Sequence, residues 1–173
     1  MAIVPDTKDW TWTVRERCPE CGFDPAGVAP GEVGARVRAN AALWPAILRR
    51  DTATERPNDN TWSPLEYACH VRDVLELFRF RLGLMLDEDD PRYPNWDQDA
   101  TAVEARYGEQ DPAAVSEALA GEAAMTADAF DAVRGDQWSR TGRRSDGASF
   151  TVTTFATYFL HDIEHHAHDV GAA

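Results

Sequence analysis

The stretch Thr157 to Val170, TYFLHDIEHHAHDV, holds four of the chain's five histidines, interleaved with three carboxylates. Imidazole and carboxylate are the side chains that most often move protons or bind divalent cations. On a helix, residues four apart stack together, which offers two pairs here: His161 with His165, and Asp162 with His166. Hydrophobic periodicity separates them. With Asp162 at zero and ~100° per residue, Phe155, Tyr158, Phe159, Ile163 and Val170 set the buried direction near ~45°. His166 falls at ~40°, along that direction, and Asp162 lies within half a right angle of it. His161, His165 and His168 fall near ~−100°, ~−60° and ~−120°, on the flank or the solvent side, and are read as surface residues.

An ionised carboxylate on an apolar face needs a partner, and a divalent cation supplies the missing charge. The alternative is that Asp162 and His166 only hydrogen-bond to each other or to a neighbouring helix. The fifth histidine bears on the choice. In WSPLEYACHVRDVLELF, a wheel centred on His70 places Tyr67, Val74, Leu77 and Phe78 around it and Arg72, Glu76 and Arg79 opposite, so His70 also faces inward. Together His70, Asp162 and His166 make a set of two nitrogens and one oxygen. Such a set suits Zn²⁺, Ni²⁺, Fe²⁺ or Mn²⁺ and leaves positions free for water or substrate. Asp169, one turn further, is placed to orient an imidazole from behind.

The elements that must position these residues are helices. Val33, Val37, Ala41, Trp44 and Leu48 form one stripe between about Gly31 and Arg50, with Pro45 predicting a bend or break. SPLE at Ser63–Glu66 is a capping box with proline at the first helical position, opening a helix to about Leu86. Asp111 and Pro112 repeat that signal for a third helix towards Gly135. A fourth runs from about Thr153 to Val170. The segment RYPNWDQDATAVEARYG is a crossover in which Asp97 or Asp99 starts a short helix, and DQWSRTGRRSDGASFTV is a loop or small hairpin. The expected fold is therefore all-α, a four-helix bundle with long crossover connections over residues 31–173. Residues 1–30 form an irregular arm anchored by Trp10 and Trp12.

Within that arm, CPECG has the spacing of a zinc knuckle or a redox pair. No second Cys or Cys/His pair is close in sequence. Cys18 and Cys21 are therefore read as packed thiols, as a disulfide or redox pair, or as half a metal site completed by Cys69, by another subunit or not at all. Cys69 itself reads as a small core filler. The arginines of RRSDG, Arg143 and Arg144, belong either to the rim of a pocket, facing a substrate carboxylate, or to a solvated turn. Trp96 and Asp97 are candidates to line the same pocket.

The 173 residues are 43% hydrophobic and 27% charged, a composition for one globular domain. A net charge of −13 repels phosphate backbones and anionic lipid, which argues against nucleic acid and membrane partners. No apolar run is long enough to span a bilayer, and the N-terminus has no basic start or apolar stretch of a signal peptide, so a cytoplasmic location is expected. Leu160, opposite the predicted core face, suggests a homodimer.

The segments WSPLEYACHVRD, with His70, and HDIEHHAHDV, with Asp162 and His166, resemble the DinB-like superfamily of metal-binding four-helix bundles, which includes the mycothiol-dependent maleylpyruvate isomerases. The resemblance covers about Gly31 to Ala173. It implies a DinB-like bundle with His70 as the single ligand of the second helix, and Asp162 and His166 as the ligands of the last. It further implies a thiol-dependent transferase or isomerase, in which the metal activates mycothiol, bacillithiol or a similar low-molecular-weight thiol towards a small electrophile. No separate C-terminal domain follows the bundle, which argues against maleylpyruvate as the substrate. The alternatives are a metal-dependent hydrolase and a non-catalytic metal-binding or stress-response bundle.

Overall fold

The structure is a computed structural model that describes residue 3 and residues 8–172. The segment read as lacking a signal peptide lies for the most part outside these residues. Six α-helices and three short strands follow in order: α1 Val33–Ala41, α2 Trp44–Ile47, α3 Pro64–Asp87, β1 Arg92–Tyr93, α4 Gln98–Glu104, α5 Pro112–Asp131, β2 Thr141–Arg144, β3 Ser149–Thr151 and α6 Val152–Asp169. The long packing elements are α1, α3, α5 and α6, with α5 against α1 and α3, and α6 against the same two. They bury one apolar core that includes Trp44, Leu75, Phe130, Phe155 and Phe159.

Local chemistry explains where the helices begin and end. Ser63 accepts from the Glu66 amide while Glu66 accepts from the Ser63 amide, so both early orphan donors of α3 are satisfied reciprocally. Glu66 also takes the Arg56 guanidinium, which secures a carboxylate that is only 6% exposed. Ser63→Ala should lower stability by about 1 kcal/mol, read as a lower midpoint in urea unfolding with an unchanged slope. Asp111 and Asp97 cap α5 and α4 with a single bond each, accepted from the Ala114 and Ala100 amides. The first apolar stripe is divided: α1 stops at Ala41 and α2 resumes at Trp44, with Pro45 in its first turn. Proline carries no N–H, so the break falls where a helical donor is missing.

Two features depart from an all-α bundle. β2 and β3 form a small hairpin, one of the two readings of that segment, antiparallel with Gly142 opposite Phe150. In addition, β1 pairs parallel to β2, Arg92 with Arg143, which makes a three-stranded sheet. A two-residue strand has no period to read, and its partner is some fifty positions away. Gly142 is required here, because a Cβ would lie 2.7 Å from Met85 Cγ.

Leu160 is fully buried, so the residue that suggested a homodimer belongs to the core. Among the described residues no helix is long and apolar enough to cross a membrane. The arm contains three short 3₁₀ turns and lies along α6, with Trp10 and Trp12 stacked at 6.0 Å between centroids.

Candidate metal centre

His70 comes from the second turn of α3, and Asp162 and His166 from successive turns of α6. The fold brings the three together as expected: one ligand atom from each lies within 4.8 Å of the others. His70 Nε2 stands 3.5 Å from Asp162 Oδ1, and His166 Nε2 stands 3.7 Å from the same oxygen. Both separations are too long for good hydrogen bonds. His70 is completely buried, and neither of its ring nitrogens has a hydrogen-bond partner among the described residues. The same is true of Asp162 Oδ1.

His166 is oriented from behind. Its Nδ1 lies 3.0 Å from Asp169 Oδ2, so a proton on Nδ1 leaves Nε2 as a lone pair facing Asp162 and His70. Aromatic rings fix the other imidazole. Trp96 stacks on His70 at 5.4 Å and 14°, and Trp62 packs against it at 5.3 Å. Tyr67, one turn before His70, lies 5.1 Å from His166.

These surroundings set the protonation states. Burial holds His70 below the ordinary imidazole range, in its neutral, ligating form. For Asp162 burial acts upwards, but the neighbouring imidazoles, His70 foremost, outweigh it and keep the carboxyl below its usual value. The centre thus offers a neutral imidazole nitrogen at His70 and an anionic oxygen at Asp162, with the His166 imidazole beside them.

Two cavities, of about 460 and 420 Å³, meet at Asp162. Trp96 and Asp97 line the first, as the sequence suggested, together with Arg81, Arg144 and Tyr158. Arg144 is held there by Asp146 and faces the Tyr158 hydroxyl at 3.4 Å. Arg143 pairs instead with Asp90, so only one of the two candidate arginines reaches the rim. Cys69 is buried, weakly bonded to the Tyr107 carbonyl, and burial pushes its thiol up to about 12. It is a core residue.

The helical wheel fails for two histidines. His161 and His165 are 4% and 8% exposed, not on a solvent face, whereas His168 is exposed as expected. Burial on α6 extends well beyond the bundle side, because the N-terminal arm covers the flank that the wheel assigned to solvent. Trp10 lies 5.4 Å from His161 and 5.1 Å from His165, and Phe23 meets His161 edge-on at 5.4 Å. An irregular arm has no period that would predict where it docks. The only signal in the sequence was the coexistence of a CxxC and an HxxxH.

A helical bundle that aims histidine and aspartate from two of its helices at one interior point belongs to the class that builds metal sites between helices. The chain is a member of the DinB superfamily, whose family model matches residues 33–171. Among solved structures it is similar to YfiT from Bacillus subtilis, described as a probable metal-dependent hydrolase with an unusual four-helix bundle topology. The TM-score is 0.74 at 16% identity, over 87% of this chain and 91% of that one. No curated protein matches the chain.

Proposed function

We propose that the chain is a metal-dependent enzyme whose His70, Asp162 and His166 hold a divalent cation, Zn²⁺, Ni²⁺, Fe²⁺ or Mn²⁺. Its reaction is the transfer of a low-molecular-weight thiol of the mycothiol or bacillithiol type to a small electrophile. The observation that carries the metal is a convergent polar set: three ligand atoms face one another, and the buried His70 nitrogens and the buried Asp162 Oδ1 have no other partner among the described residues. Buried polar groups are normally hydrogen-bonded, and a cation answers all of these at once. Three protein ligands leave coordination positions free, the pattern of a catalytic centre. A cation held there supplies Lewis acidity that lowers the pKa of a thiol or water in its open position.

The protein's own residues then have definite tasks. Asp169 keeps the His166 proton on Nδ1. Trp62 and Trp96 exclude water from around His70 and hold its ring in place. Arg144, with Tyr158, offers a donor array at the cavity wall for a carboxylate on the thiol or the electrophile. The cavities beside Asp162 are roomy enough for a small organic molecule as well as water.

Hydrolysis is the second reading, favoured by the description of YfiT and by the shared bundle. The two separate in one assay series. Zinc- or nickel-loaded protein should conjugate a mycothiol- or bacillithiol-type thiol to monochlorobimane, and chelator should abolish the reaction. Ester cleavage without thiol, also chelator-sensitive, would favour the hydrolase. Metal binding with neither activity would leave a non-catalytic bundle.

A further inference from the structure

We propose that Cys18 and Cys21 of the N-terminal arm, with His161 and His165 of α6, form a second, structural zinc site that fastens the arm to the ligand-bearing helix. It goes beyond the catalytic reading above and stands on different residues. One ligand atom from each of the four lies within 4.8 Å of every other. The Cys18 sulfur is 3.8 Å from His165 Nδ1, and the edges of a tetrahedral S₂N₂ site at ordinary zinc bond lengths are about 3.3 to 3.8 Å.

The local backbone is built for this. Cys18 donates its amide to the Phe23 carbonyl and Gly22 donates to the Cys18 carbonyl, both at 2.9 Å, closing a tight knuckle around the two cysteines. Gly22 sits at φ +79°, a conformation that glycine adopts without strain. From α6, His161 and His165 are one turn apart, with ring centroids at 5.1 Å. The CxxC half and the HxxxH half each bring two donors, and together they complete the four ligands of a closed site.

Burial and partners point the same way. Cys18, His161 and His165 are 0%, 4% and 8% exposed, and His161 Nε2 has no hydrogen-bond partner among the described residues. The far nitrogen of His165, Nε2, faces Glu20 Oε2 at 3.7 Å and Asp169 Oδ1 at 3.6 Å, carboxylates of the kind that orient a zinc-bound imidazole. Both cysteines are free thiols, and two thiolates balance the charge of one Zn²⁺. Soft sulfur donors select zinc over magnesium or calcium, and four protein ligands leave no position for substrate.

The consequence reaches the neighbouring site. Adjacent residues of α6 alternate between the two centres: His161 and His165 turn to the arm, and Asp162 and His166 turn to the bundle. Trp10, carried by the arm and packed on His161 and His165, also lines both cavities at Asp162. Fastening the arm thus places one wall of the candidate active site, and binding energy from a structural zinc becomes folding energy for a segment whose described residues form only short 3₁₀ turns and irregular backbone.

The test uses the full chain, reduced, stripped with chelator and reloaded. Zinc content should be about two ions per chain in the wild type and about one in both Cys18→Ser/Cys21→Ser and His70→Ala. Cobalt should report the sites separately. The wild type and His70→Ala should show thiolate-to-cobalt charge transfer and the intense visible bands of tetrahedral cobalt, and the double cysteine variant should lack the charge transfer. The wild-type spectrum needs no variant to fold. Absence of charge transfer with both thiols titratable would overturn the proposal, as would a Cys18–Cys21 disulfide in protein isolated under reducing conditions. Loss of metal from the bundle centre alone would leave the charge-transfer band in place, so the two readings fail independently.

Discussion

His70→Ala should abolish metal binding at the bundle centre and, with it, every chelator-sensitive activity of the protein. His70 is the one member of the proposed ligand set that α3 contributes; Asp162 and His166 come from one helix, four residues apart, and cannot enclose a cation alone. Its removal also leaves Asp162 without the imidazole that holds its carboxylate ionised against burial. The effect is best read as a change in metal response, because the substitution also alters packing against Trp62 and Trp96. Free zinc at about a hundred times its dissociation constant for the bundle centre should stabilise the native state by about 2.7 kcal/mol through that centre alone. For a chain of this size that is roughly 5 to 10 °C in Tm. In the Cys18→Ser/Cys21→Ser background, where only the bundle centre remains to respond, the shift should persist. Adding His70→Ala should bring it to zero. An equal shift with and without His70 would mean that the buried set is a polar patch of the core and not a ligand site.

How far the sequence revealed this arrangement depended on whether an element has a period. The α3 start was legible because SPLE combines a cap, a proline and a reciprocal glutamate in four residues, and the observed hydrogen bonds are the ones that pattern implies. His70, Asp162 and His166 were legible because each lies on an amphipathic helix whose apolar face points at the bundle interior. The same reasoning misplaced His161 and His165. A wheel detects the direction with most apolar neighbours, and α6 has a second covered flank, under Trp10 and Phe23, where the buried side chains are themselves polar. Polar residues buried by an irregular segment look like surface in any periodic reading. Leu160 shows the converse, an apolar residue off the main stripe that is nonetheless buried. β1 was invisible for a related reason, since its partner β2 lies in another crossover and only the closed chain brings them together.

The buried histidines also predict how the metal-free protein responds to acid. His70, His161 and His165 are all held below the ordinary imidazole range, chiefly by burial, and His161 falls to about 4. In the unfolded chain each takes up its proton near pH 6.5. Below that value the unfolded state binds more protons than the native state, so stability falls with pH, and for His161 it goes on falling until about pH 4. Asp162 and Asp169, held low by their histidine neighbours against the upward push of burial, add a loss of the same sign in the carboxylate range. At pH 5 the native His161 ring is still neutral, and its contribution alone amounts to about 2 kcal/mol, or roughly 4 to 8 °C in Tm. Chelator-treated protein should therefore melt progressively lower at pH 7, 6 and 5 in circular dichroism scans. Metal-loaded protein should hold its Tm further into acid and then drop more steeply, because cation and proton compete for the same lone pairs and the cation leaves cooperatively with the fold. His161→Gln, which cannot be protonated, should flatten the metal-free profile over pH 7 to 5. A profile unchanged by that substitution would show that His161 does not carry the acid sensitivity its burial implies.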